Sequence, residues 1–222
     1  GNLGLIISAK KTQNMLAGQH TAPTDVFINQ NKVEEVEDFT YLGSSISSTN
    51  DLDQELKCRI GKAATAFNHL NKVWNSKKFS LRLKLKFYNS NVVSTLLYSS
   101  ETWQLKTTHE RKLDAFDTKC LRKILGIKWN DFLSNEEVRE RSGQPPVSTS
   151  ICKRRLRWLG HVIRLPTTRP ANQAIKWIPT GQRKRGRPKM NWRQTVERDR
   201  TLVNRRWSDT SRLAENCAQW SN

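Results

Sequence analysis

Arg183-Lys184-Arg185-Gly186-Arg187-Pro188-Lys189 gathers five cations around one glycine and one proline. Such a set works by electrostatics, neutralising phosphates. Gly186 lets backbone come close to a ligand surface. Arg185 and Arg187 can extend along a narrow minor groove, whose negative potential deepens at A·T tracts. Pro188 stiffens the chain and holds Arg187 in an extended shape. A nuclear-import signal over 183–189 and a plain solvated linker compete with DNA contact. A second basic set is Lys153, Arg154, Arg155, Arg157 and Arg164, with Trp158 among them. Five cations on four helical turns repel one another unless an anion neutralises them. An exposed Trp stacks on a base for ~1–3 kcal/mol. The opposing reading buries Trp158, Leu159 and Val162 and leaves the cations in water. A mixture is favoured, with Trp158 buried and the arginines on phosphate. His161 reads as a packed or capping histidine, since no catalytic partner is evident.

Carboxylate chemistry is sparse. No two aspartates are adjacent. Asp51 and Asp53 fall at an expected helix start, where acids complement the dipole. Asp114, Asp117 and Lys119 are the best candidates for a divalent-metal nuclease, but their spacing suits an ordinary charged helix better. Cys58, Cys120, Cys152 and Cys217 lie far apart. They read as buried free thiols of a reducing compartment. Cys152 and His161 match no common zinc spacing.

The whole chain shares the basic bias. Its 222 residues carry 39 Lys and Arg against 20 Asp and Glu, a net charge of +19. That excess selects a polyanion, nucleic acid before an acidic membrane. No apolar run reaches the length of a membrane span, and Gly1 to Lys10 lacks the form of a secretory leader. An intracellular place, nuclear or cytoplasmic, is therefore expected. The chain does not open with Met, so a piece of a longer reading frame is expected too.

The elements that must position these residues are mainly α-helical. Residues 1–50 read as strands and turns: Leu5-Ile6-Ile7, a hairpin from Val26 to Val36 about Asn29-Gln30-Asn31, and Phe39 to Gly43. From residue 51 the period changes. Leu52, Leu56, Ile60, Ala63, Phe67, Leu70 and Trp74 line one face of a long helix, capped by Asn50 or Asp51. Ser80 caps a second helix with Leu81, Leu85, Tyr88, Val92 and Leu96 inward. A third runs from about Thr108 to Leu125 and stops at Gly126. Ser134 with Glu137 forms a capping box for a fourth. Gly143-Gln144-Pro145-Pro146 marks the expected boundary. Beyond it come a basic helix over Ile151–Leu165, an extended Pro/Gly linker over 166–190, and a last helical pattern from Asn191, anchored by Trp192, Val196, Trp207, Leu213 and Trp220.

Several segments together resemble one family. Gly4-Leu5-Ile6-Ile7-Ser8-Ala9-Lys10-Lys11-Thr12 is similar to the segment after the catalytic aspartates of a reverse transcriptase palm. Phe39-Thr40-Tyr41-Leu42-Gly43-Ser44 resembles the primer-gripping hairpin. Leu121 to Ile127, Arg155 to Val162, and Lys184 to Pro188 recur in that order in LINE-type non-LTR retrotransposon endonuclease–reverse transcriptases, most of all in the RTE-like group. Arg-Gly-Arg-Pro itself looks like an AT-hook core. The resemblance covers roughly residues 1–200, and the order of the motifs is more specific than any one of them.

It implies a β-hairpin palm remnant over 1–50, a helical thumb-like bundle over 51–145, and a basic helical C-terminal module over 146–222. It places Lys10 and Lys11 near the incoming nucleotide, and Tyr41 and Gly43 at the primer end. Arg59, Lys62 and Lys72 would track phosphates of an RNA–DNA hybrid. Ordinary solvated lysines and a plain core strand remain the competing readings of these residues. The implied partners are RNA template, RNA–DNA hybrid or duplex DNA, together with the missing palm and endonuclease domains, and no membrane. The departure is catalytic. Two-metal transfer needs clustered carboxylates, which the family supplies upstream of this segment. No catalytic residue, metal ligand or cofactor is therefore expected in this chain, with Mg²⁺ expected only in the intact polymerase. The alternatives are a decayed retroelement fragment with no selected activity and the Mg²⁺-dependent nuclease.

Overall fold

A computed structural model describes residues 7–16, 25–48, 52–177 and 191–202, with Ala214 and Trp220. The Leu5-Ile6 part of the first apolar run, the Asn50 and Asp51 caps, the Arg183–Lys189 motif, Trp207, Leu213 and Cys217 lie outside the described residues. The chain is mainly helical after short N-terminal strands, as its periodicity dictates. It divides into two compact units, residues 1–58 and 59–222, so the Gly143–Pro146 corner lies within the second.

In the first unit, β1 (Gln13–Asn14) pairs in parallel with β4 (Glu34–Glu35). Between them in sequence, β2 (Phe27–Ile28) and β3 (Asn31–Lys32) form an antiparallel hairpin. Its turn is tighter than expected, two residues with Asn29 and Gln30 both at positive φ. β5 (Asp38–Tyr41) and β6 (Ser44–Ser47) form a second hairpin, with Phe39 opposite Ile46 and Tyr41 opposite Ser44. The Leu42-Gly43 turn has φ of 47° and 83°. Positive φ at both positions matches the right-handed strand twist, and a branched residue there is strained. The Ser45 N–H donates to the Glu55 carboxylate at 2.7 Å, a bond that satisfies a buried acid.

Helix α1 (Leu52–His69) follows the apolar stripe, burying Leu56, Ala63 and Phe67. The expected single helix to Trp74 is broken at Leu70, and α2 (Asn71–Asn75) starts anew. Trp74 supplies the reason. Its indole N–H donates to the Phe67 carbonyl at 2.7 Å, and the two rings stack with centroids 5.1 Å apart.

The second unit is built around α5 (Thr107–Leu125), which packs against α2, α3 (Leu81–Phe87), α6 (Asn135–Ser142) and α7 (Val147–Arg164). Ser80 caps α3, and the Ser134–Glu137 capping box starts α6 as the sequence predicts. Gly126 and Gly143 end α5 and α6 at φ 70° and 62°, the left-handed stop that glycine provides. The second helix is not uniform. It passes from α3 through a π-helical turn, Tyr88–Val93, into α4 (Ser94–Leu96). Its inward residues Leu85, Tyr88, Val92 and Leu96 are buried, whereas Leu81 is exposed.

Helix α7 starts a turn before the expected Ile151. Asp114 of α5 explains this, since its carboxylate accepts the Ser148 N–H at 3.0 Å and the Ser148 hydroxyl at 2.7 Å. An acid thus caps the positive end of a helix from a distant position. The expected linker also holds a helix, α8 (Pro170–Lys176), with proline at the first turn, where its missing N–H costs nothing. Asn172 of α8 donates to the Val162 and Leu165 carbonyls at 3.1 and 2.9 Å, closing the C-terminal end of α7. Helix α9 (Trp192–Leu202) packs on α7. Its Asn191–Gln194 capping box and the Trp192 indole bond to the Glu101 carbonyl at 2.7 Å fix its entry.

Candidate nucleic-acid interface

The cations predicted on α7 divide into two sets. Lys153 and Arg157 are exposed, one turn apart on one face, with no ion pair to a described acid. Arg155 is 1% exposed, and its Nε and Nη2 donate to the Asp199 carboxylate of α9 at 2.6 and 3.0 Å. Its remaining Nη1 is buried with no hydrogen-bond partner among the described residues. Arg155 therefore holds two helices together and presents no charge to a ligand. Arg154 is half-buried and donates to the Leu97 carbonyl at 2.8 Å. Arg164 donates to the Ala214 carbonyl at 2.7 Å. Trp158 is half-buried rather than buried. His161 is exposed, its ring lying 5.2 Å from that of Trp158.

The residues expected on α1 divide the same way. Lys62 and Lys72 are exposed. Arg59 is 5% exposed, its guanidinium 4.6 Å from the Tyr98 ring centroid. It lies inside the stripe rather than beside it, because a planar cation can stack on an aromatic face as it leaves water. In the first unit, Lys10 and Lys11 form a 3-10 turn, Ala9–Lys11, rather than following a strand directly, and both are exposed. Lys10 lines an open cleft with Ser8, Asn31 and Lys32. Tyr41 is 57% exposed at the hairpin tip beside Gly43. Arg185, Gly186, Arg187 and Pro188 lie outside the described residues.

A groove that sequence reasoning missed lies along α3. Leu81 and Leu85 line it, Arg82 and Lys86 flank it, and Asn89 and Gln144 meet at one end, where the Asn89 amide donates to the Gln144 carbonyl at 3.1 Å. Arg82 and Lys86 are exposed and pair with no described acid. The one available signal was the polar run Asn89-Ser90-Asn91 inside an otherwise amphipathic helix. The π-turn absorbs that run, as the Ser90 hydroxyl and Asn91 amide both donate to the Phe87 carbonyl.

Beneath the groove lies a buried acid. Asp117 accepts from the Tyr88 hydroxyl and from Arg139, which also donates to the Pro145 carbonyl at 3.0 Å. Burial raises the Asp117 carboxyl above its ordinary range, against the pull of the Tyr88 hydrogen bond and of Arg139. Burial likewise pushes the Cys120 thiol up to about 12 and the Cys152 thiol to about 11. Cys58 is exposed, contrary to its expected burial.

The same contacts bear on metal chemistry. Asp114 caps α7 and Asp117 holds Tyr88 and Arg139, while Asp53 lies in the first turn of α1. Among the described residues, no three His, Cys, Asp or Glu side chains come together to hold a metal ion. These acids do not fit a two-metal centre. No described helix is long and apolar enough to cross a membrane.

Residues 66–98 match the model of a domain of unknown function (DUF6451), a stretch that includes α3 and the π-turn. No solved structure gives a significant match. The chain is 26% identical over 208 residues to a protein of Caenorhabditis elegans described as transposon-derived and uncharacterised, covering 90% of this chain and 74% of that protein. The similarity to a transposon-derived protein thus extends across nearly the whole sequence rather than one motif.

Proposed function

We propose that this chain is a nucleic-acid-binding part of a retrotransposon reverse transcriptase, contacting template–primer and target DNA without polymerising by itself. One observation carries the reading. After Arg155, Arg154, Arg164 and Arg59 are assigned to the fold, exposed cations remain on separate helices: Lys62 on α1, Arg82 and Lys86 on α3, Lys153 and Arg157 on α7. Exposed like charges one turn apart on α3 and again on α7 repel, and a polyanion relieves that repulsion. The transposon-derived relative and the order of the reverse-transcriptase-like motifs support the same origin. Binding proceeds mainly through phosphate neutralisation, with little base readout. Arg185, Gly186, Arg187 and Pro188 add a minor-groove contact to A·T-rich DNA. Lys10, Lys11, Tyr41 and Gly43 serve the primer end only when the upstream palm is present, which also supplies the metal-binding carboxylates.

The test is fluorescence anisotropy of the full chain with an RNA–DNA hybrid and an A·T-rich DNA duplex across a salt series. About six phosphate contacts weaken binding roughly a thousandfold between 50 and 200 mM salt. Arg187→Ala weakens the A·T-rich duplex alone. If neither ligand binds at low salt, the proposal fails and the decayed-fragment reading replaces it.

A further inference from the structure

We infer that the groove along α3 binds the RNA strand of a hybrid, with Arg82 and Lys86 on phosphates and the Asn89–Gln144 amide pair on a ribose 2′-hydroxyl. The inference rests on the nucleic-acid reading above and adds the site and its sugar preference. Arg82 and Lys86 lie four residues apart on α3, just over one helical turn and about 6 Å of rise. They present two exposed cations in a row, neither paired with a described acid, an arrangement that suits successive phosphates of one strand. Leu81, which is exposed, and the edge of the buried Leu85 line the same groove and give the sugar an apolar wall.

The amide pair supplies the discrimination. Asn89 donates to Gln144, which uses one donor and one acceptor. An acceptor oxygen on one side chain and an –NH₂ group on the other remain, whichever way the two amides are turned. A neutral group that both donates and accepts is their complement. A 2′-hydroxyl has that character, a phosphate oxygen only accepts, and deoxyribose has neither. An acidic peptide would satisfy the cations but leave the acceptor oxygen opposite carboxylates.

The fold holds this pair from both sides. Tyr88 precedes Asn89 on the π-turn, and Pro145 follows Gln144 on the corner. Tyr88 is tied to Asp117, and Asp117 to Arg139, which grips the Pro145 carbonyl. One buried carboxylate therefore fixes both walls, which makes Asp117 a positioning residue for the site. A π-turn aids this placement, because its extra residue per turn re-aims a side chain.

The experiment measures binding of the full chain to an RNA–DNA hybrid, to the DNA duplex of the same sequence, and to a hybrid whose RNA strand is 2′-O-methylated. The unmethylated hybrid binds most tightly. Asn89→Ala with Gln144→Ala weakens it by about threefold to tenfold, the worth of one or two hydrogen bonds, and leaves the DNA duplex unchanged. Methylation alone, which leaves the protein untouched, produces a similar loss and adds little to the double substitution. Arg82→Ala with Lys86→Ala weakens hybrid and duplex alike and lowers the salt slope by about two. Equal binding of hybrid and duplex by the unmodified chain overturns the inference while leaving the nucleic-acid reading intact, as does an amide substitution that shifts both equally. Binding of poly-glutamate in place of both nucleic acids overturns the two readings together.

Discussion

Helices α3 and α7 are both basic, and they use their cations in opposite ways. On α7, Arg155 is sealed against Asp199, Arg154 reaches the Leu97 carbonyl and Arg164 the Ala214 carbonyl. Arg164 stays exposed but is held by that carbonyl, whereas Lys153 and Arg157 are exposed with no described hydrogen bond or ion pair. On α3, Lys84 turns inward to the Trp74 carbonyl at 2.7 Å, while Arg82 and Lys86 face the groove. The basic run of α7 is the denser in sequence, yet much of it is structural. A count of cations thus overstates the surface charge wherever a carboxylate or an orphan carbonyl arrives from elsewhere in the chain.

The sharpest way to break this comparison is Arg155→Ala. It leaves Asp199 buried and unpaired, a loss of about 3–5 kcal/mol in a urea melt. Replacing both partners, Arg155→Met with Asp199→Leu, recovers most of it. If Arg155→Ala instead weakens nucleic-acid binding with stability unchanged, the two helices are alike after all. Gly160→Ala comes next, at about 1–3 kcal/mol. A Cβ there would lie 2.2 Å from the Trp220 indole nitrogen, which donates to the Leu156 carbonyl at 3.1 Å. Trp220→Ala in the same chain removes the clash, so a thermal melt shows the two changes to be non-additive.

Asp117 gives a pH signature for the interior. Its carboxyl is raised in the folded chain, so the folded state keeps a proton that the unfolded chain releases. Its contribution to stability therefore falls as pH rises from about 4, the ordinary carboxylate value, through the raised one. Asp117→Asn cannot ionise and flattens that part of the pH–stability curve. A curve unchanged by the substitution would remove Asp117 as the source. The smallest effect on stability belongs to Lys153→Ala with Arg157→Ala, within about 0.5 kcal/mol. The same pair lowers the salt slope of DNA binding by about two, which Arg155 does not do.

The helical stripes, the Ser80 and Ser134–Glu137 caps and the glycine stops at 126 and 143 were legible because each depends on residues within a turn or two. The break at Leu70 was not, since it depends on the Trp74 indole competing for a backbone carbonyl that periodicity cannot rank. Asp114 and Asp117 read as an ordinary charged helix face. Their actual work is to cap α7 and to tie Tyr88 to Arg139. The site was half legible. Lys62, Lys153 and Arg157 are exposed as expected, Arg59 and Arg155 are not, and Arg82, Lys86, Asn89 and Gln144 carried no motif.

The sequence by itself determined the helical class, the caps of α3 and α6, the glycine stops of α5 and α6 and the excess of positive charge, because these follow from composition and from neighbours along the chain. Tertiary structure decided which cations reach solvent and where a groove opens. The partners of Arg155 and Asn89 lie 44 and 55 residues away. A charge leaves water only where the fold brings it a partner that offsets desolvation, and that meeting is not written in local spacing.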